Sequence, residues 1–296
     1  MLNFHKPSIA DYGWIHDITY PANLPGVDMS FHNMYFWECY YGEVAQAAGF
    51  VTQRLSKDGV STYLYPAGAG DVKPALEEIL NDAKARGEKL VLRGVTEDKK
   101  EELYPGKFSF PAYRDSFDYI YTVEELTELH GKKLQAKRNH CNRFEAAYPD
   151  YRVLPLTADQ LPRCRAFTDE WYRLHFLEND PADYALEQRA IGLAFDHFDA
   201  LGMTGLVLEV EGEVVAFAMG NPIRPDMFDV NFEKARADMN GPYPMINREF
   251  ARRIAETPYR FLNREDDMGL EGLRRAKESY IPDLLLEKLL AEELPA

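Results

Sequence analysis

Two stretches of this chain concentrate side chains that can do chemistry. One is Asn263-Arg264-Glu265-Asp266-Asp267, a polar knot that follows the apolar run Tyr259-Arg260-Phe261-Leu262 and precedes Gly269. The other is Lys132 to Arg143, which holds five Lys/Arg and no acid in a protein of net charge −15. A carboxylate can take the proton of an attacking amine or hydroxyl, or hold a substrate ammonium, while clustered cations can seat phosphates or a developing oxyanion. Together these are the requirements of acyl or aminoacyl transfer. Glu233 ends the apolar run Phe228 to Phe232 and is the first candidate for the carboxylate. An ion pair with Lys234 or Arg264 is an equal reading of it. Asn231 shares its face if the strand is regular. Asp266 is the second catalytic candidate, although Asp266 or Asp267 serves equally as an N-terminal cap for a helix starting near Leu270.

The seat for a donor is expected from Lys133, Lys137, Arg138 and Asn139 on the basic run, from Asn263 and Arg264 in the knot, and from Arg274, Lys277 and Tyr280 beyond it. Asn247 opens a further helix near where a donor carbonyl would sit. The plain alternative is a solvated basic face and an ion-paired surface helix. Three adjacent acids raise the question of a metal, but no His is near and no Asp-x-Asp-x-Asp-Gly loop exists, so no metal is expected. The seven His are scattered, without a HExxH or Cys/His cluster, and there is no GxSxG elbow or Rossmann glycine pattern.

The elements that must position these residues read as a mixed α/β chain. Hydrophobic residues make up 46% of the 296 residues, enough for one large or two ordinary domains. The first half reads as a strand at Leu2–Lys6, a helix from Ile9, strands at Gly49–Leu55 and Ser61–Tyr65, a helix at Val72–Arg86, and strands at Lys89–Gly94 and Asp118–Thr122. The aromatic run Phe31 to Phe50 suits either core packing or a stacking site. A helical tract, Val123 to Tyr148, breaks at Gly131 and carries the basic run. After Pro149 the order is strand, helix, helix, strand, strand, strand, helix, strand, helix, with Asn179-Asp180-Pro181 separating the two helices. The acidic net charge argues against duplex-DNA binding. Cys39, Cys141 and Cys164 lack CxxC spacing and read as reduced thiols, which suggests the cytoplasm. No signal peptide and no transmembrane segment is read in the sequence.

Three segments carry a family resemblance: KKLQAKRNHCNRFE (Lys132 to Glu145), VNFEKARADMNGPYPMINREFA (Val230 to Ala251) and FLNREDDMGLEGLRRAKESYIP (Phe261 to Pro282). They resemble the DUF2156 family, which is similar to the C-terminal catalytic domain of phosphatidylglycerol lysyltransferases and, more distantly, to Fem-type aminoacyl transferases. The resemblance implies an α/β (α+β) fold of tandem GNAT-like acyltransferase domains with mixed, splayed central sheets. The division it implies is an N-terminal domain at 1–125, a basic connecting helix at 126–149, and a C-terminal domain at 150–296 that holds the active site. It also implies an aminoacyl-tRNA or acyl-CoA donor, no other cofactor, and a small-molecule or lipid-headgroup acceptor, with the tRNA acceptor end as a partner. One departure concerns the donor. Acetyl-CoA enzymes of the superfamily cradle pyrophosphate on an Arg/Gln-x-x-Gly-x-Gly/Ala loop, and the matching Arg236 to Pro244, RADMNGPYP, has one Gly and two Pro, each Pro lacking an N–H. The transmembrane half of the membrane lysyltransferases also has no counterpart in this sequence. A non-catalytic module that binds an anionic ligand between the domains is the alternative from another class.

Overall fold

The computed structural model describes residues 1–103, 106–175 and 181–294. Helices α1 (Tyr12–Thr19), α2 (Phe31–Phe36) and α3 (Glu38–Tyr41) open the chain. Strands β1 (Glu43–Ala47), β2 (Phe50–Lys57) and β3 (Val60–Leu64) lead to α4 (Lys73–Arg86), β4 (Lys89–Val95) and the short β5 (Phe108–Ser109). Then β6 (Asp118–Thr122) runs into α5 (Val123–Glu128) and α6 (Gln135–Ala147). The rest is β7 (Arg152–Pro155), α7 (Leu161–His175), α8 (Pro181–Asp196), β8 (Thr204–Val210), β9 (Glu213–Arg224), β10 (Met227–Ala235), α9 (Pro242–Ala255), β11 (Phe261–Asn263), α10 (Glu271–Glu278), β12 (Leu284–Leu286) and β13 (Leu289–Glu293).

These strands form two mixed sheets, ordered β1-β2-β3-β4-β13-β5 and β12-β6-β11-β10-β9-β8-β7. Among the described residues each sheet has a single parallel pair, closed by a helical crossover: β3-α4-β4 in the first and β10-α9-β11 in the second. This repeated unit is the expected α/β, tandem GNAT-like arrangement. Parallel neighbours require such crossovers because a short turn cannot return the chain to the same end of the sheet. Helix α4 starts with Pro74 in its first turn and stops at Gly87, which takes the left-handed φ of 68° that favours glycine.

The sheets do not divide at the expected boundaries of 125 and 150. Strand β6 lies in the second sheet, between β11 and β12. Strand β13, at the far end of the chain, lies in the first sheet between β4 and β5. Each half therefore lends one strand to the other. The cores are also shared: Phe36 and Phe232 pack with ring centroids 5.6 Å apart, and one buried cluster runs from α2 to α7, α8 and the outer face of β9. Packing accounts for most of the aromatic run, since Phe31, Tyr35, Phe36 and Phe50 are buried. Leu2–Lys6 is not a full strand; only His5 bridges to Val44. The expected break at Asn179-Asp180 lies outside the described residues. Among the described residues no helix is long and apolar enough to cross a membrane.

Candidate active site

The second sheet opens where the sequence places its chemistry. Strand β10 pairs with β11 only from Met227 to Asp229, while β10 itself continues to Ala235. Beyond Asp229 the two strands part. The first sheet has no such opening, because β3 and β4 stay paired along the whole of β3. On its other side β10 is bulged against β9 between Asp229 and Phe232. Gly220 permits this close approach: a Cβ there would stand 1.8 Å from the Asp229 carbonyl oxygen.

Glu233 projects from the part of β10 that lies beyond its pairing with β11 and stays paired with β9. Asn247, in the first half of α9, donates to its carboxylate at 3.2 Å, and Arg264, just past the end of β11, reaches it at 3.4 Å. Arg264 thus spans the gap between the strands. The pairing with Lys234 does not form: Lys234 turns the other way, 2.7 Å from Glu187 and over the Trp171 ring. The Arg264 guanidinium lies 5.0 Å from the Tyr280 ring centre and 5.7 Å from that of Tyr121, and its buried Nη1 has no hydrogen-bond partner. The Lys137 ammonium sits 4.1 Å over the same Tyr280 ring and has no ion-pair partner among the described residues. Burial and the neighbouring Arg264 lower the Lys137 pKa, while Glu233 acts against them. Two cations, one carboxylate and one amide therefore meet around Tyr280.

Helix α6 delivers Lys137 by packing Leu134, Cys141 and Phe144 into the core. Its backbone presses on the start of α9, where a Cβ on Gly241 would lie 2.8 Å from the His140 carbonyl oxygen. The N-terminus of α9, with Pro242 and Pro244 in its first turn, is therefore covered by α6. Arg138 does not join Lys137; it donates to the carbonyls of Leu129 and Gly131 and closes the loop before α6. Lys133 and Asn139 point to solvent.

A second polar group occupies the side of the sheet that meets the first half. Asn263 donates to Asp118 at 3.0 Å and to the Pro25 carbonyl at 3.2 Å. The Lys288 ammonium bridges Asp118 at 2.6 Å and Asp28 at 2.7 Å. Asn231 donates to Asp229 at 2.8 Å. Burial is the main cause pushing the Glu265 carboxyl up to about 8; Lys277 opposes it, and Asp266 and Asp118 add to it. Burial likewise raises Asp266 to about 6 against the pull of Lys288, and raises Asp229 well above its ordinary value, with Glu265 and Asp118 adding to the shift. Glu265 also holds a left-handed φ of 57°, a conformation costly for a non-glycine residue.

The rest of the knot is scaffold. Asp267 is fully buried and accepts from Tyr119 at 2.5 Å, Arg114 at 3.1 Å and Arg274 at 2.9 Å. Lys277 donates to the carbonyls of Arg264 and Asp266 and so fixes the turn. The capping reading shifts by a residue or two: Asp266 and Asp267 accept from the N–H groups of Met268 and Gly269, before α10 begins.

The structure thus gathers Glu233, Asn247, Arg264, Lys137 and Tyr280 in one group, and Asn231, Asn263 and Asp266 in the other. Arg274 and Lys277 brace the knot. Sequence reading missed Asp28, Asp118, Asp229, Lys288 and Tyr121. A signal existed for Asp229 and Lys288, since each is a charge inside an apolar run, Phe228–Phe232 and Leu284–Leu290, and a buried charge needs a partner. Among the described residues no group of three or more His, Cys, Asp or Glu could hold a metal ion.

Known proteins are similar to this chain in sequence and fold. The model of the family described as phosphatidylglycerol lysyltransferase, C-terminal, matches residues 22–292. A conserved protein of unknown function from Bacteroides thetaiotaomicron is 38% identical, with a TM-score of 0.91 over 99% of this chain and 100% of that one. The L-PGS structure from Bacillus licheniformis is 16% identical, with a TM-score of 0.70 over 99% of this chain and 94% of that one, a likeness of fold. An uncharacterised protein of Mycoplasmoides gallisepticum is 26% identical over 61% of this chain, and the match spans 57% of that relative's length.

Proposed function

The chain belongs to the phosphatidylglycerol lysyltransferase C-terminal family, and on that premise we propose that it transfers an aminoacyl group from tRNA to an amine or hydroxyl, on a small molecule or a lipid headgroup. The observation that carries this reading is the meeting of Glu233 with Lys137 and Arg264 at the opening between β10 and β11. The acceptor nitrogen or oxygen attacks the ester carbonyl, and Glu233 takes its proton. The resulting oxyanion is met by the positive charge of the Arg264 guanidinium and the Lys137 ammonium. Collapse of the intermediate breaks the ester C–O bond, and the tRNA ribose oxygen leaves with the proton from Glu233.

A thioester donor is the second reading. The start of α9 speaks against it, because two prolines lack N–H donors there and α6 covers Gly241. The exposed cations Lys132 and Lys133, just before α6, and Arg143 on it suit a polyphosphate backbone instead.

The test is transfer of a labelled amino acid from charged tRNA to a mixture of amines and phospholipid vesicles. Glu233→Gln should lower the rate about 10²- to 10⁴-fold with the fold intact. Lys137→Met should lower kcat about 10²- to 10³-fold, whereas Lys132→Met or Arg143→Met should raise KM for charged tRNA and flatten its salt dependence. Micromolar binding of CoA would replace the tRNA reading. Ligand binding without any transfer, unchanged in Glu233→Gln, would make the protein a binding module.

A further inference from the structure

The chain contains one Asn-Gly step, Asn240-Gly241, on the turn between β10 and α9. The Asn240 side chain is exposed, and His140 of α6 donates from Nδ1 to its Oδ1 at 3.1 Å. Among the described residues the Gly241 N–H makes no hydrogen bond. Glycine has no Cβ to shield that nitrogen, and Gly241 holds a left-handed φ of 98° that other residues rarely adopt. A bare main-chain nitrogen, an exposed carboxamide and an imidazole donor on the carboxamide oxygen therefore meet at one turn.

A covalent tether holds that nitrogen near the carboxamide carbon, so attack is intramolecular and has a high effective concentration. A donor on the carbonyl oxygen meets the negative charge that develops there and lowers the barrier further. We propose that Asn240 is a site of self-modification, deamidated through a cyclic imide with the help of His140. The Gly241 nitrogen bonds to Asn240 Cγ, and charge gathers on Oδ1 under the His140 Nδ1–H. The Cγ–Nδ2 bond then breaks, and the side-chain nitrogen leaves as ammonia with the proton given up by Gly241. One water opens the imide. Cleavage at Cγ gives aspartate, and cleavage at the main-chain carbonyl gives isoaspartate, in which the chain runs through the former side chain.

The turn has no room for the second product. A Cβ on Gly241 would lie 2.8 Å from the His140 carbonyl oxygen and 3.0 Å from the Phe144 Cβ, so α6 rests directly on this step. An isoaspartyl link adds one carbon to the main chain, and close-packed neighbours must move to admit it. Helix α6 carries Lys137 one turn before His140, and α9 carries Asn247. Damage at the turn therefore reaches both walls of the candidate active site. The modification itself does not depend on which group the protein transfers, or on its being a transferase.

The experiment ages the full-length protein in mildly alkaline buffer, native and in urea, and follows the tryptic peptide Ala237–Arg248 by mass and chromatographic retention. In the native protein Asn240 should convert faster than every other asparagine and give both acidic products. His140→Leu should slow the native reaction about 10- to 100-fold, as for loss of a charge-assisted hydrogen bond. His140→Gln keeps an N–H donor and should fall between the two. In urea all three proteins should convert at one rate, because the helices no longer hold the pair together. Hydrogen exchange along α6 should rise in the aged wild type and stay unchanged in aged Asn240→Gln, whose longer side chain closes the ring far more slowly. If His140→Leu does not fold, the comparison of wild type with His140→Gln decides. Equal native rates with and without His140, or no native conversion over a time in which the unfolded chain converts fully, would overturn the proposal.

Discussion

Lys288 and Asp118 lie 2.6 Å apart at the point where the two sheets exchange strands. Asp118 opens β6, which the first half lends to the second sheet. Lys288 precedes β13, which the second half lends to the first. Asp28, 2.7 Å from the same ammonium, completes the bridge. Burial opposes the charge on Lys288, yet Asp118 and Asp28 hold its pKa well above the ordinary lysine value. Burial also opposes the charge on Asp28, which Lys288 and Arg93 nevertheless keep ionised.

Lys288→Met should therefore destabilise the protein strongly. It leaves Asp118 buried without its cation, and breaking such a pair typically costs about 3–5 kcal/mol. Urea unfolding at neutral pH reads this directly. A loss under about 1 kcal/mol would show that the bridge contributes little, as for an exposed pair.

Removal of the chain from Lys288 onward should unfold the half farthest from it in sequence. β13 sits between β4 and β5, so its loss exposes the Val91–Val95 edge of the first sheet. Hydrogen exchange should rise in β1 to β4 while β8 to β10 stay protected. Uniform protection in both sheets would contradict the exchange as a structural requirement.

Asp267 should make stability fall in acid. Burial works to raise its carboxyl, but hydrogen bonds from Arg274, Tyr119 and the Gly269 N–H hold it down to about 2, against an ordinary 3.8. A carboxylate lowered on folding contributes stability that is present above the unfolded value and lost as pH falls through the folded one. The contribution is about 2 kcal/mol. Asp267→Asn should cost at least that at neutral pH, and the gap from wild type should shrink from about pH 4 to about pH 2, followed by urea midpoints.

Glu265 should act with the opposite sign. Its carboxyl is raised to about 8 from 4.5, so the folded state keeps a proton that the unfolded state has lost in this window. Stability then falls as pH rises from 4.5 through 8. Glu265→Gln should match wild type in mild acid and exceed it increasingly toward alkaline pH in the same urea series.

Many of the elements and both polar concentrations are legible in the sequence, but β1, β12 and β13 are not. Hydrophobic periodicity placed β8, β9, β10, α4 and α9, because a buried stripe must recur at the period of its own backbone. The break at Gly131, the lack of a phosphate cradle at Arg236 to Pro244, and the family resemblance were also legible there. A pair between Glu233 and Arg264 was one of two that the sequence allowed, the other being with Lys234, and the structure forms the first. Other features were decided by tertiary structure alone. Arg138 and Lys137 are neighbours on one helix, but only Lys137 faces Tyr280, and Arg138 is consumed by the carbonyls of Leu129 and Gly131. Lys288 and Asp118 could not be paired from local pattern, because the exchange of β6 and β13 joins opposite ends of the chain. The buried surroundings of Asp229, which lies opposite Asn221 and accepts from Asn231, are likewise invisible in one dimension. Whether a polar atom finds a partner depends on which strands are neighbours and where they part. That is set by the packing of two sheets against each other rather than by any single stretch of residues.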